Sequence, residues 1–184
     1  MSHSRLTDWG LAHVSIEKGF TILDVGCGGG RTIQKLAAVA SDGRVFGVDF
    51  AKGSVSASRA RNAELIKSGR VEIKEASVSQ LPFSDDEFDL VTAVETQYYW
   101  PDPVKDMQEV LRVLKPGGRL VVIAESYKGG KHFQLARPVM RLLRSTLLSA
   151  DEYRELFSKA GYTDVKVTER EDQVGICAVG KKAL

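Results

Sequence analysis

The chain has 184 residues, of which 43% are hydrophobic and 27% are charged. These proportions are those of an ordinary globular protein, and the length suits a single domain with a substantial core. Lysine and arginine exceed aspartate and glutamate by only 26 to 24, and the basic residues are scattered along the chain. A nucleic-acid substrate is therefore disfavoured, because binders of RNA or DNA usually concentrate basic residues on one face.

The cysteines and histidines are too few and too dispersed for a disulfide framework or a metal site. Cys27 and Cys177 are the two cysteines, and the three histidines lie far apart at His3, His13 and His132. No apolar stretch reaches the roughly 18 residues of a membrane span, and the N-terminus lacks the apolar region of a signal peptide. We therefore expect a cytoplasmic protein with no metal and no membrane insertion.

Short β-branched runs alternate with longer helix-periodic stretches through the first two thirds of the chain. The predicted strands cover residues 21–26, 44–50, 71–76, 88–95 and 119–126, and the predicted helices cover 32–40, 53–69 and 103–118. Asp102 is the expected N-cap of the last of these helices, with Pro103 at its first position. This alternation predicts an α/β fold built of βαβ units on a parallel sheet.

The order of the elements changes toward the C-terminus. A helix over 149–161 is followed by strands over 162–171 and 173–182, joined by a link too short for anything except an antiparallel hairpin. Between them, residues 127–148 form an irregular region. Its basic residues over 128–144 form either a solvated helix face, which we favour, or a clamp for an anionic acceptor.

A glycine-rich loop follows the first predicted strand in the sequence "ILDVGCGGGRT", 22–32. Glycines there allow a sharp turn and let a ligand approach the main chain, which suits either a dinucleotide or S-adenosylmethionine (SAM). The dinucleotide pattern G-x-G-x-x-G would need glycine or alanine at position 31 or glycine at 33, where the chain has Arg31 and Ile33. Asp24, two residues before the first glycine, suits an ammonium group and would repel a pyrophosphate.

Four motifs together resemble those of the class I SAM-dependent methyltransferases. They are "ILDVGCGGG", "VFGVDF", "LPFSDDEFDLVTAVETQYYWPDP" and "EVLRVLKPGGRLVV". They are similar to the small-molecule branch that contains the ubiquinone and menaquinone methyltransferases, closely over 21–125 and weakly over 149–181. The resemblance implies a Rossmann-like sheet of seven mostly parallel strands, with an antiparallel seventh strand beside the fifth and helices on both faces. It also implies one methyltransferase domain over 1–184, with a short N-terminal lid over about 1–20.

The same resemblance implies a set of SAM-binding residues. Asp24 would lie near the ammonium group, Asp49 would accept hydrogen bonds from the ribose hydroxyls, and Phe50 would lie against the adenine. The remaining residues expected at the cofactor are Gly26, Cys27, Gly28, Gly30, Ser77, Val78 and Val94. Ser77 stands where relatives often carry an acid that receives the adenine amino group. S-adenosylhomocysteine would be the product.

The residues after the fourth strand are the candidates for the methyl acceptor. Tyr98, Tyr99 and Trp100 would line the acceptor site or pack beneath a lid, with Tyr99 also a catalytic candidate. Glu95 would orient an amine or take its proton, unless it is simply solvated. Cys27 has no histidine near it in sequence, so a structural role is favoured over a nucleophilic one.

The predicted function is transfer of the SAM methyl group to a small molecule by in-line displacement, which needs alignment and exclusion of water more than a catalytic triad. No Asn-Pro-Pro-Tyr-like run follows the fourth strand, which also disfavours methylation of nucleic-acid bases. Two alternatives stay open. One is a catalytically silent SAM-binding module, and the other is an NAD(P)-binding oxidoreductase, which Arg31 and the C-terminal hairpin oppose.

Overall fold

The computed structural model describes residues 3–131, 133, 134, 138, 142 and 145–184. Seven strands in this part of the chain form one sheet in the order β3-β2-β1-β4-β5-β7-β6. The strands are β1 (Thr21–Val25), β2 (Arg44–Asp49), β3 (Val71–Glu75), β4 (Phe88–Val94), β5 (Leu114–Ala124), β6 (Thr163–Glu169) and β7 (Ile176–Lys181). Strand β7 is antiparallel to both of its neighbours, β5 and β6, and the other pairings are parallel. The predicted α/β fold and its antiparallel seventh strand are confirmed.

Helices cover both faces of the sheet. They are α1 (His3–Leu11), α2 (Arg31–Val39), α3 (Lys52–Arg61), α4 (Ala63–Lys67), α5 (Pro103–Val113) and α6 (Ala150–Lys159), with a 3₁₀ turn at Gln97–Tyr99. Strand β1 contributes Leu23 and Val25 to one apolar core and Ile22 to the other. Because the central strands are covered on both sides, they are almost continuously apolar in sequence.

Three predicted boundaries differ from the structure. The helix predicted over 53–69 is interrupted at Asn62, whose buried amide donates to the carbonyl of Gly30 at 3.1 Å and to that of Ser58 at 2.8 Å. The helix predicted over 103–118 ends at Val113, because the chain enters β5 at Leu114 and pairs there with Phe88. The residues of "KPGG" therefore belong to the strand. The third difference is the link between β6 and β7, which spans six residues, 170–175.

Local sequence signals explain the helix starts. The side chain of Asp102 accepts from the backbone N–H of Lys105 at 3.3 Å, and Pro103 occupies the first turn of α5, as predicted. Ser149 and Glu152 form a reciprocal capping box at the start of α6. Each cap satisfies backbone donors that a helix leaves without partners at its first turn.

The predicted N-terminal lid segment contains α1, which packs on the sheet beside β5 and α2. Gly10 lies against the side chain of Ile123, and the thiol of Cys177 donates to the Gly10 carbonyl at 3.5 Å. Lys35 of α2 donates to the carbonyl of Ser4 at 2.9 Å. Contacts with three elements thus fix α1 on one face of the sheet, and a role as a cofactor lid stays a prediction.

The structure describes only part of the predicted basic segment over 128–144. His132, Arg137, Arg141 and Arg144 of the basic segment lie outside the described residues. Lys128, at the start of that segment, forms an ion pair with Glu152. Within the described residues, no helix is long and apolar enough to cross a membrane, and no group of three acidic, histidine or cysteine side chains is placed to hold a metal ion.

The packing of α1 yields a test by substitution at Gly10. A Cβ at position 10 would lie 2.4 Å from Cδ1 of the fully buried Ile123. Overpacking of this kind costs about 1–3 kcal/mol, which offsets the gain of about 1 kcal/mol that alanine brings to a helix. We expect Gly10→Ala to lower the free energy of unfolding and to expose α1 to limited proteolysis. Gly19→Ala is the control, because no atom lies within 4 Å of its added Cβ. Equal stability of the two variants would contradict the packing described for α1.

Candidate functional site

The candidate site lies where the strand order of the sheet reverses. Strand β1 lies between β2 and β4, so the loops that follow these three parallel strands leave the same edge of the sheet. Parallel α/β sheets bind ligands at such a reversal, outside the carboxyl ends of the strands. The glycine loop after β1 occupies this position, as predicted from sequence.

The glycines of this loop serve different purposes. Gly26, Gly28 and Gly30 all have left-handed backbones, with φ of 70°, 50° and 75°. A Cβ on Gly26 would lie 2.1 Å from Oγ1 of Thr96, and a Cβ on Gly30 would lie 2.4 Å from the Asn62 amide nitrogen. At Gly28 an added Cβ meets nothing within 4 Å. Packing therefore requires glycine at positions 26 and 30, whereas Gly28 faces open space that a ligand can enter.

Asp49 connects the glycine loop to the end of β2. One carboxylate oxygen accepts from the backbone N–H of Gly28 at 2.9 Å, and the other accepts from that of Ala51 at 2.9 Å. Asp49 is 8% exposed as a whole residue, although it lines a cavity. Each oxygen has a second lone pair, so the carboxylate can still accept from ligand hydroxyl groups.

A cavity of about 270 Å³ brings together half of the residues predicted from sequence. The predicted residues in its wall are Gly26, Asp49, Phe50, Ser77, Val78, Tyr99 and Trp100. Phe50 and Tyr99 are large rings that remain 77% and 49% exposed. The structure therefore places two aromatic residues predicted for the acceptor, Tyr99 and Trp100, in the same cavity as the residues predicted for ribose and adenine.

The other predicted residues lie outside the wall of this cavity. They are Asp24, Cys27, Gly28, Gly30, Val94, Glu95 and Tyr98. Cys27 is buried against Gly47, and its thiol lies 3.8 Å from the hydroxyl of Ser58. Burial, together with the nearby Asp24, raises the pKa of the Cys27 thiol to about 12. A thiol that holds its proton is a poor nucleophile, in agreement with the structural role that we favoured.

Asp24 is a buried acid beneath the loop. The residue is 2% exposed, and its carboxyl group accepts a hydrogen bond of 2.7 Å from the hydroxyl of Thr92 on β4. Burial raises the pKa of Asp24 from 3.8 to about 7; the hydrogen bond from Thr92 opposes this rise, and the nearby Asp49 adds to it. Near neutral pH Asp24 therefore exists in both protonation states, and a ligand cation would favour the ionised one.

The end of β4 is held by Glu95 and Tyr98. Glu95 has a left-handed backbone with φ of 59°, and its carboxylate accepts from the backbone N–H of Glu125 at the end of β5. The hydroxyl oxygen of Tyr98 accepts from the same N–H at 3.2 Å. Burial and the neighbouring Glu95 raise the pKa of Tyr98 well above its usual value. The candidate base Glu95 thus has a structural task in joining two strand ends.

Some residues of the site carried no signal that we read from the sequence. Thr96 packs over Gly26, Thr92 hydrogen-bonds Asp24, and Asn62 with Ser58 supports Gly30 from α3. These contacts join residues that are about 30 to 70 positions apart in the chain. Only a side-chain arrangement in three dimensions identifies such partners, although the polar Thr92 within an apolar strand was an available hint.

Comparison with known proteins agrees with the geometry of the site. The family model described as "Methyltransferase domain" matches residues 16–161. The chain belongs to this methyltransferase domain family. The match confirms the family that the four sequence motifs resemble, and it includes the glycine loop, Asp49 and all seven of the predicted residues in the cavity wall.

Individual relatives of this methyltransferase domain agree with the branch that the motifs resemble. The O-methyltransferase cnsE of Penicillium expansum is 30% identical over 172 residues, covering 92% of this chain and 62% of that protein. The demethylmenaquinone methyltransferase of Oceanobacillus iheyensis is 26% identical over 197 residues, covering 94% of this chain and 82% of that protein. The chain spans 62% of the length of the first curated relatives that it matches.

A solved structure shares the fold over nearly the whole chain. It is a chain of the complex between the Haloferax volcanii Trm112 methyltransferase activator and a putative methyltransferase. The two chains superpose with a TM-score of 0.86 at 24% identity, covering 99% of this chain and 91% of the other. At this identity the likeness establishes the fold.

The raised pKa of Asp24 predicts how stability depends on pH. The protonated carboxyl is favoured in the folded state, so its contribution is complete below pH 4 and is lost as the pH rises through 7. Asp24→Asn keeps an oxygen for Thr92 and does not titrate. We therefore compare the free energy of unfolding of Asp24→Asn with that of the wild type at pH 4 and at pH 8. From pH 4 to pH 8 the difference should shift in favour of Asp24→Asn by up to about 4 kcal/mol.

Urea unfolding at both pH values measures this difference. Asp42→Asn removes an exposed acid and is the control. A difference between Asp24→Asn and the wild type that stays constant with pH would show that Asp24 is not a neutral buried acid.

Proposed function

We propose that the chain binds SAM and transfers its methyl group to a small-molecule acceptor. The observation that carries the proposal is the cavity at the strand-order reversal, where Asp49 and the aromatic rings of Phe50 and Tyr99 meet the glycine loop. The bound cofactor would supply a methyl group on a positively charged sulfur, which the acceptor removes by in-line displacement. The residues of the chain then have to bind the cofactor and the acceptor, orient them for transfer and exclude water.

Asp49 is the proposed ribose ligand. Its two oxygens each use one lone pair on a backbone N–H, which fixes the carboxylate without exhausting it. Two neighbouring ribose hydroxyls can each donate to one of the remaining positions. The open space beside Gly28 would admit the amino-acid part of the cofactor, and Asp24 beneath the loop would become ionised as the ammonium group approaches.

The adenine would lie between apolar and aromatic walls. Val78 and Trp100 are buried in the cavity wall, whereas the rings of Phe50 and Tyr99 are exposed at it. The resemblance implies an acid at the position of Ser77, whose hydroxyl oxygen already accepts from the N–H of Ser79 at 3.2 Å. The Ser77 hydroxyl can still donate its proton to a ring nitrogen. We infer that adenine recognition in this chain depends on stacking more than on a charged hydrogen bond.

The acceptor would approach from the side of β4 and β5, near Glu95 and Tyr98. The carboxylate of Glu95 is held by the N–H of Glu125, so it can act as a fixed hydrogen-bond acceptor for the incoming nucleophile. A small acceptor suits the balanced charge of the chain and the demethylmenaquinone methyltransferase among its relatives. We also infer a cytoplasmic location, because the two cysteines are buried and unpaired.

Two alternatives are less well supported. An oxidoreductase would need a pyrophosphate beside the buried acid Asp24, and the family match is to methyltransferases. A silent SAM-binding module would bind the cofactor without turnover. Transfer of a tritiated methyl group from SAM to a panel of phenols, quinone precursors and amines tests the proposal. Binding of SAM without transfer to any acceptor would support the silent module instead.

The assignment of Asp49 predicts a loss of affinity on Asp49→Asn. The amide keeps one acceptor oxygen but presents an N–H group where Gly28 or Ala51 now donates, and it offers a poorer acceptor to ribose. A hydrogen bond to a charged group contributes about 1.5–3 kcal/mol, so the Kd for S-adenosylhomocysteine should rise roughly tenfold to a hundredfold. Calorimetry measures this change, with Asp42→Asn as the exposed control. An unchanged Kd would remove Asp49 from the ribose site.

Tyr99 tests whether the exposed rings bind the cofactor. Tyr99→Ala removes a ring that is half exposed, so the fold should persist. An aromatic stacking contact contributes about 0.5–1.5 kcal/mol, and we expect the Kd for S-adenosylhomocysteine to rise by roughly threefold to tenfold. Tyr99→Phe keeps the ring and should bind like the wild type. If Tyr99→Ala retains full affinity while methyl transfer falls, Tyr99 belongs to the acceptor instead.

A further inference from the structure

A second cleft lies at the opposite end of the sheet from the cofactor cavity. It has a volume of about 470 Å³ and lies between the segment after α1 and strands β5, β6 and β7. Three basic side chains line it, those of Arg119, Lys166 and Lys181, together with His13 and the acid Asp164. The cleft shares no residue with the wall of the cofactor cavity.

The strand register places the three cations on one face of the sheet. Arg119 of β5 is directly opposite Lys181 of β7, and Lys166 of β6 is opposite Val179, two residues before Lys181. Residues opposite each other in an antiparallel pair point to the same side, as do residues two apart in one strand. Like charges directly opposite each other destabilise a sheet. The pair of Arg119 and Lys181 is therefore unfavourable unless an anion lies between them.

In the part of the chain that the structure describes, acidic side chains leave these cations without an ion pair. Among the described residues, none of the ion pairs within 4 Å involves Arg119, Lys166 or Lys181. Neighbouring lysines differ in this respect, since Lys115 pairs with Asp89 and Lys182 pairs with Asp86. Asp164 is the acid in the described wall, and it lies at a bulge of β6 with φ of 50°.

We propose that this cleft binds a small organic anion that carries two or more phosphate groups. The three cations extend over three adjacent strands, a span of roughly 10 Å, which exceeds the reach of a single phosphate. Arginine and lysine are the usual phosphate ligands, arginine through paired N–H donors and lysine through a compact charge. The volume is that of an ordinary small-molecule site. His13 and Ser15 form the opposite wall, where a non-phosphate part of the ligand would lie.

The proposal is independent of methyl transfer. Arg119 pairs with Leu90 near the start of β4, and Lys181 ends the antiparallel β7. Both residues therefore lie away from the edge of the sheet at which the carboxyl ends of β1 and β2 meet. A ligand in the cleft would not compete with SAM. Failure of the cofactor assignment would leave this site untouched, and the reverse also holds.

Calorimetric titration with inorganic pyrophosphate at low ionic strength tests the site. We expect one-to-one binding to the wild type, with a Kd that rises roughly tenfold or more in Arg119→Gln, Lys181→Gln and Lys166→Gln. Arg119 and Lys166 are exposed, so these two variants should fold even if Lys181→Gln does not. Lys159→Gln removes an exposed cation of α6 and is the control, with no expected change in Kd. Affinity for S-adenosylhomocysteine should be the same in all four.

Thermal unfolding without ligand gives a second readout. Relief of repulsion should raise the Tm of Lys181→Gln and of Arg119→Gln above that of the wild type at low salt, and pyrophosphate should raise the Tm of the wild type by more than it raises the Tm of either variant. Absence of pyrophosphate binding to the wild type, or binding that is equal in the wild type and the three variants, would overturn the proposal. Binding of a short RNA without pyrophosphate binding would do the same, because it would indicate a surface for a polymer.

Discussion

The two hydrogen bonds accepted by the Asp49 carboxylate hold the candidate site in one arrangement. Gly28 follows β1 and Ala51 follows β2, so one side chain connects the loops that leave two adjacent strands. The backbone of both loops departs from regular structure, and its N–H groups would otherwise need water. Because the carboxylate already satisfies them, the loops need not be reordered when a ligand binds, which lowers the entropic cost of binding.

A second carboxyl group close to this one makes the site sensitive to charge. Asp24 is buried with Thr92 as its hydrogen-bond donor, and its pKa of about 7 reflects burial first and the proximity of Asp49 to a lesser degree. A cation beside the loop would lower the pKa of Asp24 and so favour its ionised form. The site thus combines a fixed acceptor for hydroxyl groups with an acid whose ionised form is favoured by a positive ligand. This combination suits a nucleoside that carries an amino acid better than one that carries a pyrophosphate.

Sequence patterns were sufficient for the architecture and for the cavity lining that lies near the motifs. A short run of residues predicts strand β1 and the glycine loop. The acid at the end of the second predicted strand likewise predicts Asp49 as a site residue. The break at Asn62 was not predictable, because its cause is a buried amide that bonds to Gly30, 32 residues away. The early start of β5 has the same origin, since pairing of Leu114 with Phe88 overrides the turn signal of Pro116 and the glycines.

The aromatic residues after β4 show the same limit of sequence reasoning. Their position at a strand end predicts that they lie near a ligand. Which of them line the cavity depends on the 3₁₀ turn at Gln97–Tyr99. That turn buries Tyr98 and directs Tyr99 and Trp100 to the cavity that contains Ser77 and Phe50. Three adjacent aromatic residues therefore have different environments, and only Tyr98 remains on the side of Glu95.

Titration calorimetry with S-adenosylhomocysteine and with NADH, at pH 7 in two buffers of different ionisation enthalpy, tests the central claim most directly. One measurement then reports both ligand choice and proton release. The predicted result is one-to-one binding of S-adenosylhomocysteine with release of a fraction of a proton, and no heat from NADH. Binding of NADH in its place, or absence of binding by S-adenosylhomocysteine, would contradict the assignment of this cavity to the methyltransferase cofactor.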